Sequence, residues 1–132
     1  MKKAIILSLL LALCVNQALL AAETLSEDIS AQTLITGITQ NNLRFNKQYK
    51  GSQLNVSGYV GSLKERKDGY MLTLQGDKGR PMPYIECRFD VSEEDKLLEL
   101  NRGDEIRIEG IYRGNEELSH GVFVLYRCHV LN

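Results

Sequence analysis

The 132-residue sequence has no tryptophan, two prolines, three cysteines and two histidines, and only 7% of it is aromatic. So little proline excludes a polyproline or collagen-like chain. Three cysteines with no Cys-x-x-Cys pair offer poor support for a zinc site. His120 and His129 have no nucleophile and orienting group placed around them as a triad requires; Ser119 beside His120 would point the opposite way on a strand. Neither sign of charge dominates: 16 basic residues face 17 acidic ones, a net charge of −1. That argues against a strongly basic nucleic-acid protein. What is present, 43% hydrophobic and 25% charged residues, is the composition of one ordinary globular domain. No catalytic constellation, metal site or cofactor is expected, and the chain reads as a non-enzyme.

The N-terminus is separate from that domain. Met1-Lys2-Lys3 precedes an apolar run from Ala4 to Val15, broken only by Ser8; Asn16, Gln17, a small-residue stretch ending at Ala22 and the acidic Glu23 follow. A positive start, an apolar middle and a small-residue end describe a secretory signal peptide over 1–22, cut between Ala22 and Glu23. The run is shorter than the ~20 apolar residues of a membrane-spanning helix, so no transmembrane segment is expected in the mature chain; an uncleaved anchor is the alternative. Leu11-Ala12-Leu13-Cys14 places Leu13 where lipoprotein processing takes a small residue, so Cys14 reads as part of the signal. The mature domain, 23–132, is then exported, most simply to a periplasm. Losing Lys2 and Lys3 leaves it 14 basic residues against 17 acidic, a net −3. Two cysteines remain. In an oxidising compartment Cys87 and Cys128 are expected to form a disulfide, with two buried thiols as the alternative.

Periodicity sets the elements. Leu34, Ile38, Phe45 and Tyr49 share one helical face, so 28–50 is expected to be a helix, with Asn41 on its apolar stripe and Gly37 at a close approach to the sheet. The barrel region, 52–132, alternates instead. Leu54, Val56, Gly58 and Val60 mark a first strand, and the polar turn 64–69 ends in Asp68-Gly69. Tyr70, Leu72 and Leu74 mark a second strand, and Ile85, Cys87 and Phe89 a third. Ser92-Glu93-Glu94-Asp95 opens a short helix whose acids suit its positive end, with Leu97, Leu98 and Leu100 as its apolar face. Ile106 and Ile108, with Gly110 as a bend, form a fourth strand, and 122–131 a fifth. Five short strands with a helix between the third and fourth is the layout of a mainly β OB-fold, a five-stranded Greek-key barrel.

Asn41…Tyr49-Lys50-Gly51…Leu54-Asn55-Val56-Ser57-Gly58-Tyr59-Val60 resembles the opening of the tRNA anticodon-binding-like OB-fold family of exported bacterial proteins. Ile85-Glu86-Cys87, Leu97…Leu100-Asn101-Arg102-Gly103-Asp104, Ile108-Glu109-Gly110 and Cys128 extend the similarity over nearly all of the mature chain. Phe45 departs from it, standing where the family usually has a small residue. A second exported OB-fold group, the periplasmic stress-associated proteins, is similar in architecture. The resemblance implies the fold and a nucleic-acid-binding ancestry, with no activity.

An OB barrel usually binds on its second and third strands and the hairpin loops beside them. That assigns Tyr70, Tyr84 and Arg88, with Lys64, Arg66 and Lys67 in the first loop and Arg113 in the last, as candidate ligand-binding residues. Aromatics with cations suit single-stranded nucleic acid. Against that stand the signal peptide, the net −3 and Glu116-Glu117 in the last loop. Tyr70 also keeps the parity of Leu72 and Leu74, so it can be buried. The sequence thus favours an exported binding module for an envelope partner (a protein, a glycan or a small ligand), with a single-stranded nucleic-acid binder as the alternative.

Overall fold

Alternation builds the barrel, and the strands are longer than the sequence pattern marks. The computed structural model describes residues 28–114 and 122–131. The Ala22–Glu23 cut, Cys14, Glu116-Glu117 and His120 lie outside the described residues. Strands β2 (Gln53–Arg66), β3 (Gly69–Gln75), β4 (Tyr84–Phe89), β5 (Glu105–Tyr112) and β6 (Phe123–Val130) form the barrel. β2, β3 and β4 follow as an antiparallel meander, β4 pairs parallel with β6, β6 pairs with β5, and β5 returns to β2 to close the circuit. This is the expected five-stranded OB-fold.

The expected helix over 28–50 is three elements instead: β1 (Asp28–Ser30), α1 (Ala31–Gln40) and α2 (Asn42–Tyr49). β1 runs parallel to Asn55–Ser57 of β2. Ser30 caps α1, its hydroxyl accepting from the Thr33 amide at 3.1 Å. Asn41 is extended at φ −156°, and its side chain accepts from the Arg44 amide at 2.9 Å to cap α2. A short polar side chain that competes for backbone amides favours a cap over a helix interior, so Asn41 breaks the helix and lies exposed. Gly37 faces the Phe45 ring of α2, which a Cβ would meet at 3.4 Å; the close approach is between helices.

α2 plugs one end of the barrel with Phe45. Its ring lies 5.1 Å from Tyr112 in an edge-to-face pair, 5.4 Å from Phe123 and 4.9 Å from Tyr49. Phe45, Tyr112 and Phe123 are all buried, and such pairs add to plain area burial. The departure at Phe45 is therefore the plug itself.

At the other end, a 3-10 turn (Val91–Glu93) leads into α3 (Glu94–Leu98). Ser92 does not cap it; its hydroxyl donates to Asp90 at 3.0 Å. Nor are the acids uniformly solvated: Glu93 is buried against the His129 imidazole, while Glu94 and Asp95 are exposed. Of the three leucines only Leu97 is buried.

Inside, Ile85, Cys87 and Phe89 of β4 pack with Leu72, Leu74, Ile108 and Leu125. Cys128 joins them by a route that parity alone does not provide. Val124 is buried but pairs with Glu86 on the outer side, between the inward Phe123 and Leu125, and strict alternation from Leu125 would turn Arg127 inward. Arg127 instead takes φ +50° at an irregularity where β5 and β6 change register. This uncommon conformation for a non-glycine residue keeps Arg127 exposed and turns Cys128 into the core.

Candidate ligand-binding face

The outer surfaces of β2, β3, β4 and β6 form one continuous sheet face. Register sets Lys64 of β2 opposite Met71 of β3, and Met71 opposite Arg88 of β4. Thr73 opposes Glu86, and Gln75 opposes Tyr84. The hairpin joining β2 to β3 is tighter than the sequence suggests: Lys64 and Arg66 belong to the strand, and only Lys67-Asp68 turn.

A groove of about 520 Å³ crosses this face. Its floor is polar and closely packed. Gly61 sits where β2 shifts register against β3, and a Cβ there would lie 2.4 Å from the Thr73 hydroxyl oxygen. That hydroxyl accepts from the Ser62 amide at 2.8 Å. Thr73 and Gln75 are buried in the floor. The walls come from elements distant in sequence. Tyr84, Met71 and Met82 supply aromatic and thioether surface, and Lys64, Lys78 and Arg102 supply positive charge. Lys78 rises from the 76–83 loop and reaches Gly103, where a Cβ would stand 3.6 Å from Cε. Arg102 is anchored by its Nε, which donates to the Gly61 carbonyl at 3.1 Å. Among the described residues no carboxylate lines the groove.

Beside the groove the charges are balanced. Glu86 is only 2% exposed although its side chain is on the outer face. Arg88 donates to one Glu86 oxygen through Nε and lies 3.0 Å from it through Nη2, and Arg66 Nη1 is 3.9 Å from the other. Arg88 and Arg113 both lie over the Tyr126 ring, at 5.2 and 4.6 Å, within the range of cation–π attraction. Arg66, Arg88 and Arg127 border a neighbouring hollow together with Asp68 and Asp90.

Of the candidates from sequence, Lys64, Tyr84, Arg66 and Arg88 share this face. Lys67 is exposed at the hairpin tip, and Arg113 reaches the face by lying over Tyr126. Tyr70 does not line the groove but borders the neighbouring hollow with Arg66 and Arg88. It opposes Glu65 and Phe89, turns toward the core, and its hydroxyl donates to Glu94 at 2.7 Å. That bond to a carboxylate, chiefly, holds its phenol up at about 12. Burial, then the neighbouring Glu86, also raises Tyr84. Sequence reasoning missed Met71, Lys78, Arg102, Glu86 and Tyr126. The outward parity of Met71, Glu86 and Tyr126 was readable; the loop positions of Lys78 and Arg102 carried no such signal.

The model of the tRNA_anti-like family matches residues 3–129. Among solved structures, a Klebsiella pneumoniae protein described as a "putative nucleic acid-binding lipoprotein" aligns with 81% of this chain and 92% of its own, at 15% identity and a TM-score of 0.67. The asparaginyl-tRNA synthetase of Pyrococcus horikoshii aligns with 64% of this chain but only 21% of its own, at 15% identity and a TM-score of 0.49. No curated protein matches. At such identities the first likeness speaks for the fold alone.

Proposed function

The chain belongs to the tRNA_anti-like family, and on that premise we propose that it is an exported, non-enzymatic binding module that takes single-stranded nucleic acid along the groove of β2, β3 and the 76–83 loop. One observation carries this: Lys64, Lys78 and Arg102 line the groove with Tyr84 and, among the described residues, without a carboxylate. Single strands are held by cations along the backbone and by aromatic surface under the bases. The net −3 that counts against nucleic acid in the sequence is an average over the whole surface. Locally the acids gather elsewhere, as at Glu94, Asp95 and Glu99 around α3. The name of the Klebsiella neighbour points the same way. Among the described residues no helix is long and apolar enough to cross a membrane.

A second reading, an envelope protein, glycan or small ligand, draws on the thioether surface of Met71 and of the largely exposed Met82. Fluorescence anisotropy with labelled single-stranded DNA and RNA over a salt series separates the two. Three phosphate contacts give a log–log salt slope of about −2 for a single strand. A slope near zero, or no binding at low salt, would leave the envelope ligand. N-terminal sequencing of protein made from the full chain tests export; a mature chain starting at Glu23 is expected, and one starting at a lipid-modified Cys14 would replace that cut.

A further inference from the structure

The two buried cysteines meet in the core through an irregularity that no strand pattern requires. Cys87 sits opposite Leu125 in the parallel pairing of β4 with β6. Cys128 comes three residues later, and its thiol turns back to donate to the Leu125 carbonyl at 3.3 Å. Both cysteines lie in one core cluster, and both are almost wholly buried, at 0% and 1% exposure. β5 leaves room for them. At Gly110, a Cβ would lie 2.9 Å from Cys128 Sγ and 3.0 Å from Leu125 Cβ. In this structure both residues carry free thiols.

We propose that Cys87 and Cys128 are a cross-linking site, joined as a disulfide when the chain folds in the presence of a small-molecule disulfide oxidant. Whether this happens in the cell rests on the exported reading above; the chemistry of the site does not. The thiolate of one cysteine attacks a sulfur of the oxidant and expels a thiolate, leaving a mixed disulfide. The second cysteine thiolate then displaces the oxidant's other half. The protein gives up two protons and two electrons, and the oxidant leaves as two thiols.

The order of events follows from burial. Exchange needs a thiolate, and burial, with the adjacent Cys128, holds the Cys87 thiol well above its ordinary range. A closed, reduced barrel therefore resists exchange, and the bond forms as the barrel closes. It would tie β4 to β6 across a loop running from residue 87 to 128, covering α3, β5 and the segment after β5.

The test uses the full chain carrying Cys14→Ser, reduced, unfolded and refolded with a mixture of glutathione and glutathione disulfide. The expected product is a monomer two hydrogens lighter, with no thiol open to maleimide in denaturant and a Cys87–Cys128 peptide on mapping. Its Tm should fall by ~10–25 °C on reduction. The same reduced chain, folded first and then given the oxidant, should keep both thiols over the same period. A refolded monomer with two free thiols, or cross-linking only between chains, would overturn the proposal. Protein recovered from cells after acid trapping provides a separate arm. Blocked thiols there support both proposals. Free thiols there, with the cross-link formed in vitro, support the site and count against export.

Discussion

Arg88 sets two of its guanidinium nitrogens 3.0 Å from one oxygen of Glu86, a carboxylate that is buried on the outside of the barrel. A buried charge persists only when paired, and here Arg66 and Arg88 share the pairing. This offsets part of the charge of Arg66 and Arg88, whereas no ion pair among the described residues offsets the Lys64, Lys78 and Arg102 wall. Glu86→Gln keeps the shape but halves the pairing. It is expected to cost about 1–3 kcal/mol in urea unfolding while oligonucleotide affinity stays level or rises. A marked loss of affinity would place the arginines in the binding contact instead.

The groove cations should behave as phosphate contacts. Lys64→Ala and Lys78→Ala are each expected to reduce the salt slope of single-strand binding by ~0.7, with similar losses for DNA and RNA. Arg107→Ala, on β5 and ion-paired with Asp28 at 2.7 Å, should leave the slope unchanged. Equal effects of all three would mean a diffuse charge effect without a groove.

Phe45 closes the barrel against Tyr112 and Phe123. Phe45→Ala removes the ring from a buried aromatic cluster and leaves a cavity under α2. A loss of about 3–5 kcal/mol is expected, read by denaturant unfolding. Phe45→Leu, which keeps most of the volume, should cost clearly less.

The barrel was legible because buried strands alternate. Leu54, Val56 and Val60, Leu72 and Leu74, and Ile85, Cys87 and Phe89 all lie inside, as their parity requires. Three features were not legible, each for its own reason. Asn41 lay on a helical stripe, yet its capping bond to Arg44 outweighs continuation of the helix. Alternation puts Cys128 on the side of Val124, which pairs with Glu86 between the inward Phe123 and Leu125, and only the turn at Arg127 brings Cys128 inward. The groove needed loops: Lys78 and Arg102 are 24 positions apart in the sequence and meet only after the chain has folded back over β2 and β3. Tyr70 is half-buried, as its parity allows, and its partner Glu94 lies on a helix that strand parity does not reach.

That Tyr70–Glu94 bond has a pH signature. The Tyr70 phenol is raised to about 12 in the fold, chiefly by the bond to Glu94, against ~10 for an unperturbed tyrosine. The folded state thus holds the proton more tightly than the unfolded one. The contribution is fully present below pH ~10 and is lost as pH rises to about 12. Ultraviolet titration should show Tyr70 among the late-ionising tyrosines, with Tyr84 and Tyr112, which are also raised. In Tyr70→Phe the late phase should shrink by one tyrosine, and the fall in stability across the same window should become shallower.

Gly110 offers the sharpest packing test, because its neighbours are known. An alanine there would set Cβ 2.9 Å from Cys128 Sγ and 3.0 Å from Leu125 Cβ, both in a core with no slack. Overpacking of this kind costs ~1–3 kcal/mol, so Gly110→Ala should be destabilising even though alanine suits a strand no worse than glycine. Removing the sulfur removes the nearer clash. Cys128→Ala with Gly110→Ala should therefore lose less than the sum of the two single changes, measured on reduced protein so that no cross-link contributes. Contacting residues typically show such coupling at about 0.5–3 kcal/mol. Strict additivity in that double-mutant cycle would mean that Gly110 does not make room for Cys128, and that β5 bends there for another reason.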